Sequence, residues 1–600
     1  MIRVADLVIS YIYSIGTEYI FTVTGGSAMF LNDAIALNEK IKYICNQHEQ
    51  ASVMAADTYS RISGNLGVAV VTSGPGATNT LTGVVGAWQD SIPLMVISGQ
   101  SKRLQTVFNS NIIGLRQFGF LEVNIIPIIE SVTKYSSFVN NPNKILYHLE
   151  KAVFLAKSGR PGPVWLDIPL DVQGALIDER KLIGFDSSKL ERTNQNKPTR
   201  TEISTVIKLL KSSRKPVIIA GGGIRLSGAI DDFKKLISFL KIPVVLSTMG
   251  GDIIEDSNPF FVGKAGMRGE RAANMAIQNS DLILCIGTRL GIPIIGYKFD
   301  KFAPDAKKIV IDIDKAEHEK KTIKIDQLVL SDAKNFIQAL FSAAKKTRFN
   351  FKDDWLEKCK ELRNKYPVYL NQYSKSKGPV NMYFAVDRIS RNLGFDDIIV
   401  TDAGYSYYIV RQAIKIKNGQ RLLIPGATGA MGFSIPASIG ACIGSNLNRV
   451  ICITGDGSLQ INIQELQTIR HHRLPIKIFV ISNKGYVSIR NTQQIYFGNR
   501  LIGESKKTGL SLPDISKIAY TYGIKYCEAK NNDELIKIIP KVLNSKGSVI
   551  CEIACLTNQN IIPTVSSKRL ADGTMVSAAI DDMYPFLSKK EIAKIKTDLS

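Results

Sequence analysis

The stretch "RVICITGDGSLQINIQEL", Arg449–Leu466, decides the reading of this chain. An apolar, strand-like run stops at Gly-Asp-Gly, and a helical pattern follows. One carboxylate, Asp456, therefore hangs between two glycines at the end of a strand. A lone Gly-Asp-Gly is most often just a tight turn. Here, 27 residues on (483 − 456), Asn483 follows the next apolar strand, "IKIFVIS". In open parallel sheets, ligands bind beyond the carboxyl ends of the strands. The helix between the two strands returns the chain, so an aspartate and an asparagine stand side by side. Both are hard oxygen donors of the kind Mg²⁺ takes when it bridges to phosphate. The glycines let backbone approach a diphosphate, and the next helix N-terminus adds donors.

The rest of the chain sets bounds. Six hundred residues exceed a single core, so two to four domains are expected. With 45% hydrophobic and 22% charged residues, the composition is that of a globular protein and excludes a disordered chain. No run of 18 uncharged apolar residues occurs, so no membrane span is expected. "MIRVADLVISYIYSIG" lacks the basic start and small-residue cleavage site of a signal peptide. The eight cysteines are scattered without a CxxC, which suits reduced thiols and a cytoplasmic location. The formal charge of +23 raises nucleic-acid binding, but the lysines form no basic arm or basic-aromatic pattern. They read as a solvated surface, so no nucleic acid is expected as partner.

Strand-like runs alternate with helical patterns nearly throughout, which argues α/β architecture with parallel sheets. A first block, 1–185, holds "EYIFTVTGG", "LGVAVVTSGPGATN" and "GPVWLDIP". The polar stretch Asp186–Glu202 reads as a linker. A second block, 200–345, holds "KPVIIAGGG", "DLILCIGTRL" and "KIVIDID", and a polar connector runs from Lys345 to about Gly378. The third block, 375–560, holds "DDIIVTDAG", the opening stretch and "SVICEIAC"; a tail, 561–600, follows.

Asp456 with Asn483 resembles the thiamine diphosphate (ThDP) signature, and the likeness covers almost the whole chain. The acetolactate synthase branch is the most similar, through "NQHEQASVMAADTYSRISG", "VAVVTSGPGATNTLTGVVGAWQDSIPLMVISGQ", "RPGPVWLDIPLDVQ" and "ATGAMGFSIPASIGA". The resemblance implies three doubly wound parallel-sheet domains, in the order pyrimidine-binding, central and pyrophosphate-binding. It implies that Asp456 and Asn483 hold Mg²⁺ with side chains and Gly485 with its carbonyl. Gly457 and Ser458 would donate to the diphosphate, with Gly404 lining that side. Glu49, by itself an ordinary first-turn carboxylate, becomes the group that hydrogen-bonds the cofactor's pyrimidine N1′. Met431, by itself a gap-filling core methionine, becomes the wedge that bends the cofactor, with the Gly429 carbonyl accepting from its 4′-amino group. The activity implied is decarboxylation of a 2-oxo acid and transfer of the acyl unit to an acceptor carbonyl. In this family the two domains that meet over one cofactor come from different subunits, so a homodimer or homotetramer is implied.

By the same resemblance, Gly221, Gly222, Gly266, Arg268, Gly287, Arg289 and Asp312 occupy the places of an FAD site. The family's acidic run after its flavin-site arginine reads "LGIPIIG" here, and many relatives keep the fold without flavin, so FAD stays open. Gly26, Ser27, Phe120, Leu121, Leu170, Ser488 and Thr492 map to the substrate pocket. There the chain departs from acetolactate synthases: Leu121 stands for a glutamine, Leu170 for a lysine, Thr492 for a tryptophan, and Tyr405-Ser406 for a Gln-His. These changes favour pyruvate as donor with a neutral carbonyl acceptor, such as a keto-sugar nucleotide whose diphosphate Lys102, Arg103 or Arg116 would meet. The alternatives are an acetolactate synthase catalytic subunit, a simple 2-oxo acid decarboxylase, and an inactive structural subunit.

Overall fold

A computed structural model describes residues 1–188, 190, 197–352, 354–569, 572 and 574–599. Part of the expected linker, 189 and 191–196, lies outside the described residues. The linker's end is already helical. Thr199 and Glu202 form a capping box that opens the helix Arg200–Ser212, because each satisfies a backbone N–H that helix geometry leaves unpaired.

Three six-stranded sheets are parallel throughout. Their inner strands are hydrophobic runs with almost no polar alternation, as expected when helices cover both faces, while edge strands such as Lys42–Cys45 and Lys525–Ala529 are more polar. Leu94–Gln100 and Pro163–Pro169 are buried at every residue. Numbering each sheet's strands in chain order, the N-terminal sheet (from Tyr19–Thr22 to Pro163–Pro169) runs 2-1-3-4-6-5. The C-terminal sheet (from Ile398–Thr401 to Val549–Ala554) repeats that order. The central sheet (from Pro216–Ala220 to Gln327–Leu330) runs 3-2-1-4-5-6. In each case the order reverses beside strand 1, which opens a crevice at the carboxyl ends.

The polar connector after Lys345 contains the helix Trp355–Lys365. Its Trp355, Cys359 and Leu362 join a core of the central sheet. The expected tail joins the same core through Ile580, Ile595 and Leu599. The Arg271 guanidinium also donates to the Pro585 carbonyl at 2.7 Å, and the Asn274 amide to that of Ile580 at 2.8 Å. No helix among the described residues is long and apolar enough to cross a membrane.

The N- and C-terminal sheets share one core, in which the helix Glu49–Ser63 packs on Ser434–Gly444. The second helix, "SIPASIGACIG", is built of small residues, so the backbones approach closely. A Cβ at Gly440 would lie 1.9 Å from the Ala55 carbonyl oxygen. The Thr58 hydroxyl donates across the contact to the Ala437 carbonyl at 2.8 Å. Gly440→Ala therefore forces the two helices apart. We expect it to cost about 1–3 kcal/mol, read as a lowered denaturation midpoint.

Candidate functional site

The C-terminal half of the site lies at the carboxyl ends of Ile398–Thr401 and Val450–Gly455, neighbouring strands at the switch point of their sheet. Asp456 opens the short helix Asp456–Ile461 and is 4% exposed. Its Oδ1 accepts from the Gly457 N–H at 2.8 Å. Its Oδ2 accepts from the N–H groups of Asn483 (3.0 Å) and Lys484 (2.7 Å). Burial pushes the carboxyl up to about 6, against the pull of these backbone donors. Beside it, the Asn483 side-chain oxygen is buried and accepts no hydrogen bond among the described residues. A buried orphan acceptor is costly unless something outside the protein satisfies it. A divalent cation meets both conditions, since it favours the ionised carboxylate and takes the orphan oxygen. Two backbone positions leave no room for side chains. A Cβ at Gly457 would lie 2.2 Å from the Tyr486 ring, and one at Gly485, where φ is +136°, 2.0 Å from the Glu504 carbonyl oxygen. Ser458 is buried next to Gly457.

The loop 425–434 carries Gly429 and Met431, and carboxylates hold it at both ends. Asp402, fully buried, accepts from the N–H groups of Gly432 (3.0 Å) and Ser434 (2.8 Å) and from that of Ala403 (2.8 Å). The Asn462 amide donates to the Gly432 carbonyl at 2.8 Å. At the other end Asp90, the last residue of the N-terminal domain's helix Leu81–Asp90, accepts from the Ala427 N–H at 3.0 Å. Asp90 is itself paired with Arg61 at 3.2 Å, which also pairs with Asp57. Met431 is left half-buried, and Gly404, with φ of +66°, caps the helix Tyr405–Ala413. Asp402 and Asp90 were not singled out from sequence. Asp402 had a signal, since it ends the run "IIVTD" just as Asp456 ends "VICITGD".

The N-terminal half forms around Glu49, the first residue of its helix, with His48 as the cap. Glu49 Oε2 accepts from the Asn79 amide at 3.0 Å, and Oε1 has no hydrogen bond among the described residues. A Cβ at Gly76 would touch Oε1 at 3.5 Å, so the glycine keeps that oxygen accessible. Ser27 is fixed by three contacts. Its N–H donates to the Thr72 hydroxyl (3.2 Å), its hydroxyl accepts from Ser73 (2.8 Å) and its carbonyl accepts from the Gln173 amide (2.7 Å). Gly26 precedes it, and Leu170 opens the short helix that carries Gln173. Leu121, with φ of +59°, sets its carbonyl 2.7 Å from where a Gly74 Cβ would stand. Buried Glu122 shapes this loop by accepting from the N–H groups of Phe118 (2.8 Å), Gly119 (3.0 Å) and Val107. Phe120 is 86% exposed. Of the three cations expected to meet an acceptor's diphosphate, Arg103 is committed elsewhere, donating to Asp171 at 2.8 Å and to the Asn140 carbonyl at 2.9 Å. Lys102 and Arg116 are exposed.

Among the described residues, no hydrogen bond or ion pair joins Glu49, Ser27 or Leu121 to Asp456, Asn483 or Met431. Ser488 and Thr492 belong with the C-terminal half. They line a cavity of about 1440 Å³ with Gly404 and Gly429. That cavity exceeds the ~300–1,000 Å³ usual for a single small ligand, and it runs into the switch point of the central sheet. There Gly222, Arg268, Gly287, Arg289 and Asp312 line it. The strand order 3-2-1-4-5-6, with Gly222 and Gly287 following the two strands at the reversal, is the arrangement that takes dinucleotides. Gly221 and Gly266 do not line the cavity. They allow backbone packing, since a Cβ would lie 2.1 Å from the Gly287 carbonyl oxygen or 2.2 Å from that of Pro293. Arg268 stacks on Tyr408, 3.5 Å from the ring centroid. Arg289 donates to the Gln89 carbonyl at 3.0 Å, and Asp312 faces His318 at 3.1 Å. Leu290, Ile292 and Ile294 make that wall apolar. Arg160, which sequence did not single out, lines the cavity and pairs with Asp314 and Glu317 at 2.8 Å each.

Comparison with known proteins finds three family models along the chain. These are the thiamine pyrophosphate enzyme N-terminal TPP binding domain over residues 2–115, the central domain over 203–340 and the C-terminal TPP binding domain over 402–553. The chain is 33% identical to the acetolactate synthase large subunit of Cyanidium caldarium, covering 91% of this chain and 92% of that one. It is 33% identical to the acetolactate synthase large subunit of Lactococcus lactis subsp. lactis, covering 94% of each. With the acetolactate synthase isozyme 2 large subunit of Escherichia coli it shares 30% identity, over 94% of this chain and 97% of that one.

Proposed function

This chain belongs to the thiamine diphosphate-dependent enzymes, in their acetolactate synthase-like branch, and from that membership we propose that it is a Mg²⁺-dependent carboligase taking pyruvate as donor and a neutral carbonyl compound as acceptor. ThDP, when bound, would supply a carbanion-forming centre for decarboxylation of a 2-oxo acid. The chain's residues bind, orient and protonate. Asp456 and Asn483 hold the metal with side-chain oxygens and Gly485 with its carbonyl, and the orphan Asn483 oxygen is the observation that carries this. Gly457, Ser458 and Gly404 would meet the diphosphate, and Met431 and Gly429 would hold the thiamine. Glu49 holds a proton at Oε1, the oxygen that Asn79 leaves free, and exchanges it with the aminopyrimidine. Because no hydrogen bond or ion pair among the described residues joins Glu49 to Asp456, Asn483 or Met431, we read the complete site as one formed by two copies of the chain. FAD is the dinucleotide we assign to the central cavity. Decarboxylation with acyl transfer is redox-neutral, so a flavin there would hold the fold and lend no electrons.

The acceptor reading rests on Leu121 and Leu170. A second 2-oxo acid brings a carboxylate to the reacting end, and an unpaired carboxylate in an apolar pocket costs on the order of several kcal/mol. The nearby Arg103 is already paired with Asp171. A neutral ketone or aldehyde carries no such cost, and a keto-sugar nucleotide is the acceptor we favour. Formation of 2-acetolactate from two pyruvates is the second reading, favoured by the names of the relatives.

Three outcomes are expected. Asp456→Ala abolishes Mg²⁺-dependent ThDP binding while circular dichroism stays native, and parental affinity in the variant would remove Asp456 from the metal site. Glu49→Gln retains ThDP but slows proton–deuterium exchange at the cofactor's C2 by about 10²–10⁴-fold, measured by quenched NMR. Incubation with ThDP, Mg²⁺, FAD and pyruvate, with and without a 4-keto-6-deoxy sugar nucleotide, gives an acyl-sugar adduct by mass spectrometry and little acetolactate. Rapid acetolactate formation indifferent to the sugar would instead establish the second reading.

A further inference from the structure

One carboxylate outside the expected site crosses from the C-terminal half to the N-terminal half. Glu465 opens the helix Glu465–His471, one turn beyond the Gly-Asp-Gly helix, and is fully buried. Its Oε2 accepts from the Asn46 amide at 2.9 Å and from the Thr468 hydroxyl at 2.8 Å. Its Oε1 accepts from the Gln47 N–H at 2.8 Å. Asn46 and Gln47 belong to the turn between the strand Lys42–Cys45 and Glu49, and no residue of that turn lies more than three positions from Glu49. Asn46 is itself 5% exposed. Burial raises the Glu465 carboxyl, and the donors of this turn oppose that rise. No cation pairs with Glu465 among the described residues, so the desolvated carboxylate depends on these N–H and O–H groups alone.

We propose that Glu465 is a positioning residue for Glu49: it clasps the turn that carries Glu49, and so sets where the Glu49 carboxyl stands against the cofactor. The role rests on the functional reading above. The physical reason is leverage. Glu49 is the first residue of its helix, and its own side chain has a single bond, to Asn79. Its direction is therefore decided by the backbone that enters the helix. Glu465 grips that backbone at Gln47 and its neighbour at Asn46. A displacement of about 1 Å at a reacting group is enough to cost on the order of 100-fold in rate, while the metal and diphosphate contacts, made elsewhere, would be unaffected.

The test compares Glu465→Ala, Glu465→Gln and the parent. In the chain without cofactor, amide hydrogen exchange reads the clasp directly. Glu465→Ala should speed exchange across residues 44–50 by about tenfold or more and leave 450–461 within about twofold. With ThDP and Mg²⁺, the same variant should bind the cofactor within about threefold of the parent but exchange the C2 proton at least about tenfold more slowly. Glu465→Gln keeps an oxygen for the Gln47 N–H and should restore C2 exchange to within about threefold of the parent. Parental C2 exchange in Glu465→Ala overturns the proposal, as does a loss of C2 exchange matched by an equal loss of ThDP affinity. Unchanged amide exchange at 44–50 overturns it as well. If Glu465→Ala does not fold, Asn46→Ala carries the test. It must show slowed C2 exchange at unchanged ThDP affinity, and parental exchange in it overturns the proposal. Failure of the parent to bind ThDP would defeat the functional reading instead, and the cofactor-free amide exchange keeps that outcome separate from a failure of the clasp.

Discussion

A carboxylate removed from water has to find donors, and in this chain the donors are backbone N–H groups at the ends of strands and the starts of helices. Asp456 gathers the N–H groups of Gly457, Asn483 and Lys484. Asp402 gathers those of Ala403, Gly432 and Ser434. Glu122 does the same for Phe118 and Gly119. Backbone donors have a fixed place, so each buried carboxylate locks the conformation of the loop it serves. The reverse dependence holds too, because without that loop conformation the buried charge would be unpaired.

This mutual dependence explains why the site can be built on turns and remain ordered. Gly429 and Gly432 have positive φ, at +60° and +79°, and would leave an isolated loop free. Asp402 and Asn462 hold one end of that loop and Asp90 the other. Asp90 ends the helix Leu81–Asp90 of the N-terminal domain, so the order of a C-terminal loop depends on the packing of the two domains. That packing depends in turn on the close approach of Glu49–Ser63 to Ser434–Gly444, which only small residues permit. A single arrangement of the two domains therefore supports both halves of the site.

The donor set also separates what binds from what reacts. The half around Asp456 is polar, glycine-rich and short of one partner, at the Asn483 oxygen. The half around Glu49 is sparse. Leu121 and Leu170 bring apolar side chains, and Arg103 is paired with Asp171.

Much of this was legible in the chain itself. Parallel strands buried on both faces must be continuous apolar runs, so "VICIT" and "IKIFVIS" announce their strands, and the residues that end them, Asp456 and Asn483, announce the site. Asp402 could have been found by the same rule. Glu465 and Asp90 could not, because their partners lie hundreds of residues away and no local pattern marks a carboxylate that will be buried against a distant backbone. The tail and the connector read as polar segments, yet Trp355, Ile580 and Ile595 complete a core of the central sheet, since sparse apolar residues show their common face only when the chain is folded. Strand order, the dinucleotide-type reversal in the central sheet and the commitment of Arg103 to Asp171 also belong to the tertiary structure. Local hydrophobic period and turn chemistry determined where the elements and the strand-ending oxygens of Asp456 and Asn483 lie; contacts between residues far apart in the chain decided how they are held.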